Sequence, residues 1–119
     1  MPRPTNINLH QKSRVLEIEF DDGKAFKYTC EFLRVHSPSA EVTGHGPGED
    51  KLQVGKQDVA ITAVEPVGLY AIKLVFDDNH DTGLFSWTYL YDLGMQYEAK
   101  WENYLQRMKA AGAKRNAGH

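Results

Sequence analysis

The sequence predicts an α+β fold: small antiparallel sheets, a β-hairpin plus a meander, packed with a short helix and a longer C-terminal helix. Short runs alternate apolar and polar residues, the pattern of half-buried strands. A tight-turn dipeptide, Asp22-Gly23, joins the first two of these runs, and near the C-terminus the apolar spacing changes from two residues to three and four, the period of a helix. With 119 residues, 41% of them hydrophobic and 25% charged, the chain has room for one domain and one modest core. A single domain over residues 1 to 119 is expected, with flexible ends at 1 to 13 and 112 to 119.

Residues 14 to 20 place Leu16, Ile18 and Phe20 on one face and Glu17 and Glu19 on the other, a half-buried strand. Asp22-Gly23 accepts the positive φ angles of a hairpin turn, and residues 24 to 29 return with Phe26 and Tyr28 apolar. Thr29 can cap a short helical turn reaching Val35, since its hydroxyl accepts a free backbone N–H, and Pro38 disfavours helix at Ser37. Three glycines and Pro47 within residues 44 to 51 prevent regular pairing, so this segment is the expected mobile loop.

Residues 59 to 67 and 69 to 76 read as two more strands about Gly68, with Val59, Ile61, Ala63, Ile72, Leu74 and Phe76 supplying the apolar positions. Pro66 requires an edge or a bulge, because it has no backbone N–H to give to a ladder. Polar residues 77 to 81 turn the chain into a further strand at 82 to 87, which pairs with the preceding one. Ser86 caps a short helix that Gly94 is expected to stop. The longer helix covers about 96 to 111; its stripe of Tyr97, Trp101, Tyr104, Leu105 and Met108 should lie on a sheet while Glu98, Glu102, Arg107 and Lys109 stay wet.

A net charge of -2 argues against a surface built to neutralise phosphates, so no nucleic-acid partner is expected, and the basic residues Lys109, Lys114 and Arg115 read as a charged tail. Cys30 is the single cysteine and cannot form an internal disulfide, which suits a reducing compartment. No signal-type segment opens the chain and no apolar run approaches membrane-spanning length. The expectation is a cytoplasmic protein with no membrane partner and no cofactor.

Candidate chemistry is sparse. Asp77, Asn79 and Asp81 alternate like the start of a calcium loop, yet Thr82 stands where glycine must turn the chain and Thr88 where a bidentate glutamate belongs. The Gly44 to Gly48 loop lacks the Gly-Lys-Ser/Thr of a phosphate cradle, although His45 within it is a candidate binding residue. Cys30 has no neighbouring signature of an activated thiol, and Asp21-Asp22 and Asp77-Asp78 sit at turns that favour aspartate for conformational reasons. An iron oxygenase needs two histidines and a carboxylate, commonly with one residue between the first histidine and the acid; His80 and Asp81 are adjacent, and the chain is short for such a barrel.

Leu16-Glu17-Ile18 leading to Asp22-Gly23, LRVHSPSAEV at 33 to 42, GHGPGE at 44 to 49 and NHDTGLFSWTYLYDLG at 79 to 94 together resemble the gamma-butyrobetaine hydroxylase-like N-terminal domain family, over nearly the whole chain. In the hydroxylases of that family the resemblance implies a structural zinc held by three cysteines and one histidine, the cysteines lying in a turn of the form Leu-Arg-Asp-Asn-Cys-Pro-Cys-x-x-Cys. Laid on this chain, that turn puts Ser37, Ser39 and Val42 in the three thiolate positions, keeps Pro38, and gives His80 the histidine's place. Hydroxyls and a valine do not replace thiolates, so no zinc is expected. Relatives fused to P-loop ATPases of iron-sulfur cluster assembly imply an accessory role near iron or iron-sulfur metabolism. One cysteine cannot by itself hold a cluster through four thiolates.

The expected function is therefore a non-enzymatic binding or adaptor domain with a protein partner, presenting the 33 to 49 turn and loop and the His80 hairpin. Arg34, Ser37, Ser39, His45 and His80 are the candidate binding residues, and no residue is assigned as catalytic or metal-binding. Arg34 is placed at a charged contact because its planar fork recognises carboxylates or phosphates; a local ion pair with Glu31 or Glu41 is the competing reading. A metal site drawing on His80 and His45, with His36 or Cys30, is the alternative function, and a small enzyme would need a deep pocket of perturbed titratable groups.

Overall fold

The computed structural model describes residues 2–39, 52–53, 55–81 and 83–112. Two three-stranded antiparallel sheets form the frame. The first contains β1 (Pro4–His10), β2 (Val15–Phe20) and β3 (Ala25–Thr29), and the second β4 (Ile61–Val67), β5 (Ala71–Phe76) and β6 (Leu84–Ser86), each in sequential order. Helix α1 (Cys30–Val35) follows the first sheet; α2 (Trp87–Met95) and α3 (Tyr97–Ala110) follow the second. The expected α+β architecture is the observed one.

Alternation builds the core. Leu16, Ile18, Phe20 and Tyr28 from the first sheet meet Ile61, Ile72, Leu74 and Phe76 from the second, with Phe32 and Leu33 of α1 and Leu90 and Leu93 of α2. The hairpin turn is where Asp22-Gly23 placed it, with Gly23 at φ 88° and Phe20 N–H bonded to the Lys24 carbonyl at 2.8 Å. Thr29 and Ser86 cap α1 and α2 through their hydroxyls, which accept from Phe32 N–H and Tyr89 N–H at 3.1 Å each. Pro66 lies in β4, an edge strand, as its missing donor requires.

Four expectations are corrected. The N-terminal segment expected to be a loose end contains a strand, Pro4–His10, because Ile7 and Leu9 sit opposite Ile18 and Leu16 and complete the apolar face of the sheet. The strand expected from 69 begins at Ala71; Leu69 and Tyr70 belong to the turn that Gly68, at φ 60°, opens. Gly94 does not stop its helix, which runs through it to Met95. Its role is space: a Cβ there would stand 2.4 Å from Cγ of Phe26, so the missing side chain lets the Phe26 ring press onto α2.

The fourth correction concerns α3, whose apolar stripe packs on α1 as well as reaching the end of β3, where the Tyr97 hydroxyl meets Thr29. Tyr97 stacks on Phe32 with ring centroids 4.1 Å apart, and the Tyr104 hydroxyl donates to the buried Glu31 carboxylate at 2.8 Å. Cys30-to-Val35 is short, and its buried aromatic needs a second cover that the sheets leave to α3. None of the described helices is long and apolar enough to cross a membrane. The glycine-rich loop expected to be mobile, and residues 113 to 119 of the expected flexible C-terminal end, lie outside the described residues.

Candidate functional site

Four of the five sequence-derived candidates meet in one polar knot where α1 runs out beside the β5–β6 connection. Ser37 Oγ and His80 Nε2 share a hydrogen bond of 2.9 Å, with Ser37 fully buried and His80 3% exposed. Ser39 N–H donates to the same Ser37 oxygen at 3.3 Å. Gly83 makes room for this pair, since a Cβ there would fall 2.2 Å from Ser37 Oγ. His45 and Val42 lie outside the described residues.

Asp78, which the sequence did not single out beyond its turn, is the hub beside that bond. Its Oδ2 accepts from Arg34 Nε at 2.9 Å and from Lys56 Nζ at 2.6 Å, while Oδ1 takes the backbone N–H of His80 at 3.3 Å. Burial alone would raise its pKa, and the hydrogen bonds from Lys56 and Arg34 outweigh that and hold the carboxyl below its ordinary value. Arg34 NH1 also donates to Gln53 at 3.2 Å. The guanidinium placed at a surface contact is thus only 7% exposed and engaged inside the fold, with Asp78 and not Glu31 as its ion partner. Glu41 lies outside the described residues. Nothing in the sequence distance of 44 positions announces the Arg34–Asp78 pair; only the tertiary fold makes it.

His36 and Cys30 stand apart from His80's bond. His36 Nδ1–H donates to the Phe32 carbonyl at 2.8 Å, its ring lies 4.4 Å from that of Phe32, and its backbone carbonyl accepts from the Tyr89 hydroxyl at 2.5 Å. Burial, with the charges of Lys100 and Arg107, pushes its pKa down despite the Phe32 bond. Cys30 is buried in the core and burial pushes its thiol up, which favours the unreactive protonated form. Among the described residues no three His, Cys, Asp or Glu side chains converge as a metal set requires. The donors that stand in the family's ligand positions do not fit zinc: Ser37 and Ser39 offer hydroxyls, and the His80 imidazole is bonded to a hydroxyl.

The chemistry of the knot is cross-linking. It ties α1 to the β5–β6 connection through charge-assisted hydrogen bonds. The opposite inversion occurs at the β4–β5 turn, where Leu69 is 80% and Tyr70 65% exposed. Trp87 fixes this tip, its indole Nε1–H donating to the Leu69 carbonyl and its backbone N–H to the Tyr70 carbonyl, both at 2.9 Å. Sequence reasoning absorbed these two residues into a strand. The signal available was a pair of large apolar side chains directly after a turn glycine, where polar residues are usual.

Comparison with known proteins agrees with this architecture. A family model described as gamma-butyrobetaine hydroxylase-like, N-terminal, matches residues 7–91. Two solution NMR structures are similar over most of their length: one at 45% identity covers 100% of this chain and 94% of its own with a TM-score of 0.85, the other at 56% covers 97% and 86% with 0.83. A crystal structure of a protein of unknown function in the DUF971 family, from Acidithiobacillus ferrooxidans, is 38% identical, covering 76% of this chain and 91% of its own with a TM-score of 0.65. No functionally curated protein matches. A model matched across 85 consecutive positions, with solved structures alike in both sequence and fold, places this chain in the gamma-butyrobetaine hydroxylase-like N-terminal domain family.

Proposed function

We propose that this protein is a non-enzymatic accessory domain of the cytoplasm that docks onto a partner protein. Its surface contact is the β4–β5 tip, and the 33 to 39 turn with the His80 hairpin acts as the brace behind the fold. The observation that carries this reading is the exposure of Leu69 and Tyr70 on a turn whose backbone carbonyls accept two hydrogen bonds from Trp87. A turn whose backbone is already bonded spares part of the ordering cost of binding, and a large apolar pair on it offers the area of an interface anchor. Further support comes from the inward use of reactive-type groups: Ser37, His80, Arg34 and Glu31 each bond within the fold. A setting in iron or iron-sulfur metabolism follows from the family resemblance, as an association through relatives.

In-cell cross-linking of the tagged protein, compared with the Leu69→Asp/Tyr70→Ala variant, tests the docking surface. The expected result is loss of a specific cross-linked partner with the variant's melting curve unchanged. Equal recovery of every partner from a folded variant removes the tip from the reading.

A further inference from the structure

One residue divides α2 from α3. Helix α2 ends at Met95 and α3 begins at Tyr97, and Gln96 between them has φ -109° and ψ 19°, its ψ about 60° from the helical value. The helical ladder reaches this bend from both sides: Gln96 N–H donates to the Asp92 carbonyl at 3.0 Å, and Lys100 N–H to the Gln96 carbonyl at 2.9 Å. Sharp bends in helices sit at proline, at Gly/Ser pairs or where a group enters the ladder. Residues 95 to 100, Met-Gln-Tyr-Glu-Ala-Lys, contain no proline, glycine or serine, and all but Tyr97 are strong helix formers. Gly94 already lies inside α2, and no side chain caps the start of α3. Local sequence therefore favours one continuous helix, and the cause of the bend is what α3 touches. Tyr97 stacks on Phe32 of α1, Trp101 stands 6.5 Å from the same ring, and Tyr104 donates to Glu31.

We infer that α2 and α3 form a two-state element: a bent form held by α1, and a straight form in which Gln96 turns helical and α3 leaves α1 as part of one continuous helix. Nine residues of α2, Gln96 and fourteen of α3 then rise about 36 Å together. Each form gives up what the other gains. Bending forgoes the hydrogen bonds that the first N–H groups of α3 would make to the last turn of α2, and gains aromatic cover for Phe32. Straightening makes those bonds, uncovers Phe32 and Glu31, and frees Tyr97, Trp101 and Tyr104 of their α1 contacts. The backbone change is confined to Gln96, so neither sheet has to open. Trp87, which bonds the β4–β5 tip, starts α2 at the end away from the bend, so this movement is separable from docking at the tip.

Nuclear magnetic resonance of the full chain tests the movement through carbon shifts and amide exchange. Tyr97→Ala/Trp101→Ala takes both rings off Phe32 and leaves the strongest helix former in their place. The Gln96 carbon shifts should then move to helical values. The amides of residues 98 and 99 should exchange about tenfold or more slowly than in the intact chain, because the straight form bonds them to the carbonyls of Gly94 and Met95. Tyr97→Pro/Trp101→Ala removes the same rings but blocks the straight form, since proline has no N–H and collides with the carbonyl four residues back; its Gln96 should stay outside the helical range and its 98 and 99 amides should exchange fast. If the double-alanine variant does not fold, Trp101→Ala alone, at a half-buried position, is read in the same way. A folded variant that keeps the bend and the exchange of the intact chain overturns the inference. So does an α3 that leaves α1 and loses its helical shifts, or a proline variant with exchange as slow as the alanine variant's.

Discussion

Two regions of this molecule reverse the usual relation between polarity and exposure, in opposite directions. At the knot between α1 and the β5–β6 connection, Arg34, Ser37, Ser39 and His80 are polar and buried; at the β4–β5 tip, Leu69 and Tyr70 are apolar and exposed. Burying polar groups costs free energy unless they are bonded, and in the knot the Arg34 guanidinium, the Ser37 hydroxyl and His80 Nε2 are bonded. Exposing large apolar groups forgoes the free energy of burial, and the proposed docking gives the tip a reason for doing so. The difference teaches where to look for function. Polar residues that a sequence reading offers as a site bond within the fold, and the proposed docking surface is made of residues that carry no chemistry.

The sharpest way to break this contrast is to remove the cation at the centre of the knot. Arg34→Met should cost about 3 kcal/mol, since truncating one member of a buried pair leaves the other short of its partner. Lys56 also reaches Asp78 and keeps the loss from being larger. Urea unfolding would measure it; a loss under roughly 0.5 kcal/mol, typical of surface substitutions, would mean the ion pair is not part of the brace.

Next in size is Gly83→Ala. The added methyl collides with Ser37 Oγ and must push it off His80, an overpacking cost of about 2 kcal/mol. Ser37→Ala removes the colliding oxygen, so the double variant should be less destabilised than the sum of the two single changes. Strict additivity in a double-mutant cycle would show that the two positions do not share the contact.

Much of the frame was legible because strand alternation, Asp22-Gly23, the caps Thr29 and Ser86, and Pro66 each act locally, and a local cause can be read from neighbours in sequence. The knot was half legible. The resemblance brought Ser37, Ser39 and His80 together, but Asp78 was read as a turn residue because its partners Arg34 and Lys56 are distant in the chain. Gly94 misled for the same reason: a glycine near a helix end looks like a stop, whereas its cause is the Phe26 ring arriving from β3. The N-terminal strand was missed because Ile7 and Leu9 form too short an alternation to stand out without the β2 partner that stabilises it.

A smaller effect comes from pH. His36 has its folded pKa below the ordinary 6.5, held down by burial with Lys100 and Arg107 nearby. Folding therefore favours the neutral ring, and its contribution is fully present above the unfolded value. As pH falls below about 6.5 the unfolded chain takes up the proton first, and stability declines until the folded pKa is reached. Asp78, also depressed, adds a second loss at lower pH, below the ordinary carboxylate value of 3.8. Unfolding free energy measured from pH 7 to 5 should fall in the intact chain and fall less in His36→Gln; parallel curves would separate His36 from the acid response.

The smallest expected change in stability is the one that most sharpens the contrast. Leu69→Asp replaces a side chain 80% exposed, so nearly all of its apolar surface is in water in both the folded and unfolded chain. The hydrogen bond that Trp87 gives to residue 69 goes to its backbone carbonyl, which the substitution keeps. Stability should stay within about 0.5 kcal/mol of the intact protein. The same substitution puts a charge at the proposed anchor, where a desolvated carboxylate without a partner opposes association. Arg34→Met and Leu69→Asp therefore form a crossed pair: the first lowers stability and leaves the tip's chemistry untouched, the second leaves stability and removes docking. If Leu69→Asp instead lowered the melting temperature as far as Arg34→Met, the tip would be part of the brace and the division between the two regions would fail.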